Sequence, residues 1–203
     1  PKIKDTDSDV RLGDVVVSGK MGVIQYDMVK DTRDGENANH APRPPSHAWL
    51  SRATNLINDT REKNGFEQKL IEHLARHSKF ARPSNETDQL FDDSNPSSPI
   101  EIKRAAREHS NPLIFEGAVG SANKVVKNHS VREELRNRHQ LLAVEMEGSG
   151  VADAAMANGT SFFVIRGICD YANDGKNKIW QPYAAMSAAV FAAELIKSMP
   201  KSQ

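Results

Sequence analysis

Cysteine is nearly absent from this 203-residue chain: Cys169 stands alone, which excludes an internal disulfide framework and any multi-cysteine metal site. A surplus of either charge is absent too, since 27 Lys and Arg balance 27 Asp and Glu. Without a basic field, neither nucleic acid nor an anionic membrane is an expected partner. No apolar run approaches the ~20 residues that a bilayer-spanning helix needs. The opening PKIKDTDSDV has no signal-peptide core. A soluble, cytoplasmic protein is therefore expected, and the four Asn-x-Ser/Thr sequons at Asn58, Asn85, Asn128 and Asn158 read as chance matches.

The 38% apolar content is enough for a core and fits one domain over residues 1–203, interrupted by polar loops at about 30–46 and 81–99. In VRLGDVVVSGKMGVIQYDMV, β-branched runs at Val15–Val17 and Val23–Gln25 flank Ser18-Gly19-Lys20 and predict a strand pair. Trp49, Leu50, Ala53, Leu56 and Ile57 have helical spacing, as do Phe66, Leu70 and Leu74. Further along, PLIFEGAVG precedes a charged helix from Val131 to about Arg138. Then come a short apolar strand at Leu141–Val144, a small-residue helix at Gly148–Met156 and a strand at Phe162–Ile168. A proline-opened, alanine-dense helix over Pro182–Lys197 closes the pattern. Strands alternating with helices predict an α/β fold with a mixed, largely parallel central sheet flanked by helices. The short helix between Leu141–Val144 and Phe162–Ile168 predicts that these two strands are parallel neighbours. Ala185, Ala188, Ala189 and Ala192 of the last helix are expected to pack on the sheet.

Two predicted strands end in acid. Leu141–Val144 delivers Glu145 and Glu147 around Met146, and Phe162–Ile168 delivers Asp170, at the strand ends where open α/β sheets bind ligands. An ionised Glu accepts two hydrogen bonds and suits a vicinal diol such as a ribose 2′,3′-hydroxyl pair. An Asp in a drier pocket can hold a proton and pass it to a leaving group. Arg166 shares parity with Asp170 on an extended strand, and a cation in an apolar strand needs an acid beside it. Against these stand plainer roles: Glu147 complementing a helix dipole, and Asp170 forming a turn. His73 and His77 beside Glu72 lack the H-E-x-x-H order and a third ligand, so no metal is expected. GAVGSANK lacks the Gly-Lys-Ser/Thr ending of a phosphate loop, DYANDGKN lacks the EF-hand ligand pattern, and no cofactor is expected.

VEMEGSGVADAA followed by FFVIRGICDYANDGKNKIWQPYAAMSAAVFAAELI resembles the end of a nucleoside phosphorylase and nucleosidase domain, the superfamily of purine and uridine phosphorylases and methylthioadenosine/S-adenosylhomocysteine nucleosidase. IRGICDYA with KNKIWQPYAA is most similar to effector-type nucleosidase-like domains of fungi and bacteria. DVRLGDVVVS and GAVGSANKVVKN match two further blocks in the right order, so the resemblance spans about Asp9 to Lys197. It implies that Glu147 accepts the ribose diol, Met146 packs on the sugar and Asp170 protonates or hydrogen-bonds purine N7. It implies also that Val125 and Val126 line the base pocket and that Ser121 and Asn123 lie on the loop into it; Glu145 and Arg166 complete the expected site.

The family's Gly-rich loop, an arginine and a water-activating glutamate, which lie upstream of the block matched by RLGDVVVS, have no counterpart here. A longer chain or a partner chain supplies them, or catalysis has been lost. The implied activity is N-ribosyl hydrolysis of a purine nucleoside or nucleotide with water as co-substrate. Phosphorolysis is the near alternative; a loop offering only Lys176, Lys178 and Tyr183 past the aspartate tilts the reading to hydrolysis. A non-catalytic nucleoside-binding or assembly module is the third reading. A homo-oligomer is expected.

Overall fold

The structure is a computed structural model that describes residues 9–33, 35–38, 41–63, 65–95, 97–107, 111–173 and 178–200. Val15–Gln25 (β1) is one long strand rather than a hairpin: it runs parallel to Ile114–Ser121 (β6), with a register shift between Ser18 and Val23. The shift absorbs the Ser18-Gly19-Lys20 stretch that read as a turn. Gly22 sits there at φ +61°, and a Cβ on it would lie 1.8 Å from the Arg43 carbonyl oxygen, because Val23 pairs with Arg43 in an isolated bridge. Only glycine tolerates that approach.

Part of the predicted loop at 30–46 is a hairpin of Val29–Thr32 (β2) and Gly35–Ala38 (β3). Two helices follow, His47–Lys63 (α1) and Gly65–Arg76 (α2), close to their predicted spans. The turn-rich stretch at 81–99 contains a 3-10 turn at Asn85–Thr87 and the strand Phe91–Asp92 (β4), which pairs with Ile100–Glu101 (β5). Beyond β6 come His129–His139 (α3), Leu141–Glu145 (β7), Gly148–Ala157 (α4), Ile165–Gly167 (β8) and Gln181–Ser198 (α5).

The main sheet has the order β7-β6-β1-β8; β6 is parallel to both β1 and β7, and β8 is antiparallel to β1. The sheet is thus mixed and mostly parallel, as expected. The expected adjacency of β7 and β8 is overturned: they occupy opposite edges and run antiparallel. The parallel strand-helix-strand unit is β6-α3-β7 instead, while α4 carries the chain across to the far edge. Only Ile165–Gly167 of the predicted strand joins the ladder. Its entry is pinned by Ser18, whose N–H donates to the Val164 carbonyl (2.9 Å) and whose Oγ accepts from Val164 N–H (3.0 Å).

In a flat sheet, edges three strand spacings apart would lie roughly 14 Å from each other. The sheet is curled, and Arg166 Nη1 of β8 lies 3.4 Å from Glu147 Oε2, just past β7.

Val15, Val17, Phe115, Ile57, Phe66 and Phe191 share the largest core cluster, which α1, α2 and α5 cover. Ala152 and Ala155 of α4 bury against Val23 and Phe162 in a separate cluster. Helix α5 does not use the expected alanines: Ala185 and Ala189 are exposed and Ala188 and Ala192 half-buried, and the buried face is Tyr183, Ala184, Ser187, Val190, Phe191 and Leu195. Ala184 meets β8 so closely that a Cβ on Gly167 would lie 2.0 Å from its carbonyl oxygen. No helix among the described residues is long and apolar enough to cross a membrane.

Candidate active site

The curled sheet closes around a cavity of about 600 Å³, within the roughly 300–1,000 Å³ range of small-molecule sites. Glu145, Met146, Glu147, Val125, Val126, Arg166 and Asp170 all line it. The chain therefore brings together acids from the two opposite edges of the sheet, although the strands bearing them are not neighbours.

Glu145 and Glu147 divide the roles that the sequence left open. Glu145 is buried, and its carboxylate accepts the backbone N–H of Glu147 (3.0 Å) and of Gly148 (2.8 Å) at the start of α4. Ser121 Oγ accepts the N–H of Ser149 (3.0 Å). These two side chains satisfy the exposed donors of the helix start, so the helix-terminus role belongs to them. The Glu147 side chain makes no capping bond to α4 and is 69% exposed, 3.4 Å from Arg166 Nη1. Arg166 is itself 42% exposed, because β8 faces the cavity at this point rather than a dry core. Met146 is exposed beside them.

Ser121 is fully buried, and neither it nor Asn123 lines the cavity among the described residues. The backbone N–H of Asn123 donates to Asp27 Oδ2 (2.8 Å). Val126 is buried among Tyr26, Ala122 and Leu135, whereas Val125 is exposed. Burial, with Asp27 and Glu145 adding to it, pushes the Tyr26 phenol up to about 12, so this cavity-lining ring stays neutral.

Asp170 lies three residues past β8. Its Oδ1 accepts Ala172 N–H (2.8 Å), and Cys169 Sγ lies 3.7 Å from its Oδ2. Ala172 is left-handed at φ +53°, a conformation that costs a non-glycine residue about 1–3 kcal/mol and needs the surroundings to impose it. The turn-forming role of Asp170 is therefore real, and it coexists with a place on the cavity wall. Lys176 lies outside the described residues.

Sequence reasoning missed the wall opposite: Leu90, Asp92 and Ile102 from the turn-rich segment, and His129, Arg132 and Arg136 from α3. The three α3 residues stand at i, i+3 and i+7, a spacing that marks one helix face. The segment at 81–107 has no periodicity that could have announced it. No group of three or more His, Cys, Asp or Glu among the described residues is arranged to hold a metal ion.

The family profile described as the phosphorylase superfamily matches residues 6–199. The chain is 32% identical over 206 residues to a nucleotide-binding leucine-rich repeat (NLR)-like protein of Hyaloscypha variabilis, covering 96% of this chain and 20% of that one. It is 26% identical over 86 residues to the ATP nucleosidase Cap17 of Escherichia coli, covering 42% of this chain and 17% of that one. Among solved structures, the fold matches 5′-methylthioadenosine/S-adenosylhomocysteine nucleosidase of Neisseria meningitidis in complex with methylthio-immucillin-A. The TM-score is 0.58 at 18% identity, over 94% of this chain and 64% of that one. The chain thus spans under two thirds of each of these relatives.

Proposed function

The chain belongs to the phosphorylase superfamily, and on that premise we propose that its cavity takes a purine nucleoside or nucleotide and hydrolyses the N-glycosidic bond to release the base. The observation that carries this reading is the convergence of Glu147, Met146 and Asp170 on one cavity of nucleoside size. Glu147 accepts the 2′- and 3′-hydroxyls, with Arg166 holding its carboxylate. Met146 packs on the sugar. As the C1′–N9 bond breaks, its electron pair passes to the purine and N7 takes the proton of the Asp170 carboxyl. The oxygen of a water molecule bonds to C1′, and the proton it loses passes through solvent to the Asp170 carboxylate, which restores the acid.

Two observations support hydrolysis over phosphorolysis. Arg166 faces Glu147, and Arg132 is engaged by the Tyr171 carbonyl (3.0 Å), His129 Nδ1 (2.8 Å) and Glu133 Oε1 (3.1 Å). Arg136, the third arginine of the cavity, lies 3.8 Å from Glu133 Oε2, so each of these guanidiniums already faces a protein partner. The names of the relatives point the same way: one is an ATP nucleosidase and another a nucleosidase bound to methylthio-immucillin-A. The first of these relatives favours trying nucleotides as well as nucleosides.

Chromatography of adenine released from adenosine, AMP, ATP and methylthioadenosine, with and without phosphate, tests the proposal. Release independent of phosphate is expected. Release only with phosphate makes the protein a phosphorylase, and binding without release makes it a recognition module. The same proposal includes a cytoplasmic homo-oligomer that covers Val151 and Met156, which α4 exposes. Light scattering that gives a monomer at high concentration removes that part.

A further inference from the structure

Among the described residues, the Asp170 turn joins no strand ladder. Its last sheet-like tie is Ile168, whose N–H donates to the Asp14 carbonyl (2.8 Å) and whose carbonyl accepts from Gly13 N–H (2.7 Å). Beyond it, Tyr171 is gripped from outside. The phenol donates to Asp88 Oδ1 and accepts from Arg104 Nη1 (2.6 Å) and from Leu12 N–H (3.3 Å). Arg104 in turn donates to the carbonyl and the carboxylate of Asp88 (2.9 and 3.1 Å). The Tyr171 carbonyl accepts from Arg132 Nη1 (3.0 Å). Burial holds the phenol well above its ordinary range, so it remains a neutral donor. Three separate stretches of chain therefore meet on one residue: the lead into β1, the segment at 81–107 and α3.

Two features make this more than packing. Asp88 and Arg104 flank Leu90, Asp92 and Ile102, which form a wall of the cavity. The left-handed Ala172, which brings its N–H onto the Asp170 carboxylate, directly follows the gripped residue. Gripping Tyr171 by both its side chain and its carbonyl leaves Asp170 little freedom between Ile168 and Ala172. We propose that Tyr171 is a positioning residue: the Asp88–Arg104 pair and Arg132, acting through its hydroxyl and its carbonyl, hold the Asp170 carboxyl in the orientation that meets the base. This rests on the purine-releasing reading of the cavity.

The test is a cycle of Tyr171→Phe and Asp170→Asn in the full protein chain, following base release, adenine affinity and melting temperature. Tyr171→Phe keeps the ring and removes the hydroxyl. It is expected to lower kcat about 10-fold with KM within about twofold, part of the roughly 100-fold that a 1 Å misplacement of a reacting group costs. On the Asp170→Asn background the same change is expected to alter the residual rate less than about twofold, because the orientation it controls no longer matters.

An unchanged kcat in Tyr171→Phe overturns the proposal. So does an equal fold-loss on both backgrounds, which would mark a structural role alone. Where the wild type releases no base, hydrolysis fails but adenine affinity still decides, because free adenine lacks the ribose that Glu147 anchors and so reports the Asp170 contact more directly than the KM of a nucleoside does. A roughly 10-fold weakening by Tyr171→Phe that disappears with Asp170→Asn supports positioning. No weakening, or no adenine binding by the wild type, overturns it. Should Tyr171→Phe fail to fold, Arg104→Lys takes its place, since it leaves Asp88 a cation and removes the guanidinium bond to the phenol.

Discussion

Gly167→Ala tests whether α5 sets the position of the site. The added Cβ would lie 2.0 Å from the Ala184 carbonyl oxygen, and carbon-oxygen contacts shorter than 3.0 Å are essentially never made, so one element has to retreat by about 1 Å. Helix α5 is the fixed one: Phe191 and Leu195 are fully buried in the main core, and Lys69 of α2 pairs with its Glu194. Strand β8 is the yielding one, an edge of three residues paired only with β1. Overpacking of this kind costs about 1–3 kcal/mol. At roughly 2–4 °C per kcal/mol for a domain of this size, the melting temperature should fall by about 2–12 °C. Moving β8 also moves Arg166 away from Glu147 and shifts the origin of the Asp170 turn. A 1 Å displacement of reacting groups costs about 100-fold in rate. Thermal unfolding by circular dichroism, paired with base release well below the transition, measures both effects. A variant with an unchanged melting temperature would refute the close-packing argument. One that melts earlier but turns over at the wild-type rate would refute the coupling of α5 to the site.

Asp170→Asn is expected to lower turnover by about 10²–10⁴-fold with little change in nucleoside affinity, because the amide keeps the size of the carboxyl but delivers no proton. Glu147→Ala is expected to weaken nucleoside binding by about 1.5–3 kcal/mol, the usual worth of a charged hydrogen bond, and calorimetry would detect it. Phe191→Ala, which empties a fully buried site edge-on to Phe66 at 6.2 Å, should cost about 3–5 kcal/mol in denaturant titration. Glu194 titrates below the usual carboxylate range: burial opposes the shift, but Lys197 and Lys69 outweigh it. A depressed folded pKa stabilises at pH above the ordinary glutamate range and is lost as pH falls through the folded value. The melting-temperature gap between wild type and Glu194→Gln should therefore be full at neutral pH and shrink as pH falls below the ordinary glutamate range.

The helices and parts of β1, β7 and β8 were legible in the sequence because each depends on a local period. The apolar spacing of Trp49 to Ile57 and of Phe66 to Leu74 predicted α1 and α2, and a short apolar run located β7. Glu147 and Asp170 could be singled out because acids at strand ends are conspicuous one residue at a time. Which strands are neighbours was not legible. Periodicity says which face of a strand is buried but carries no information about which edge of the sheet it joins, so β7 and β8 were paired by proximity in sequence when the sheet separates them by β6 and β1. The division of labour between Glu145 and Glu147 was likewise decided in three dimensions, by the close approach of Ser121 and Glu145 to the N-terminus of α4. The curl of the sheet, which carries Arg166 to Glu147, and the irregular wall from 81–107, which reaches Tyr171 through Asp88 and Arg104, come from contacts between distant parts of the chain. Such contacts leave no trace in a local pattern, because the residues that make them need only be polar and free to reach.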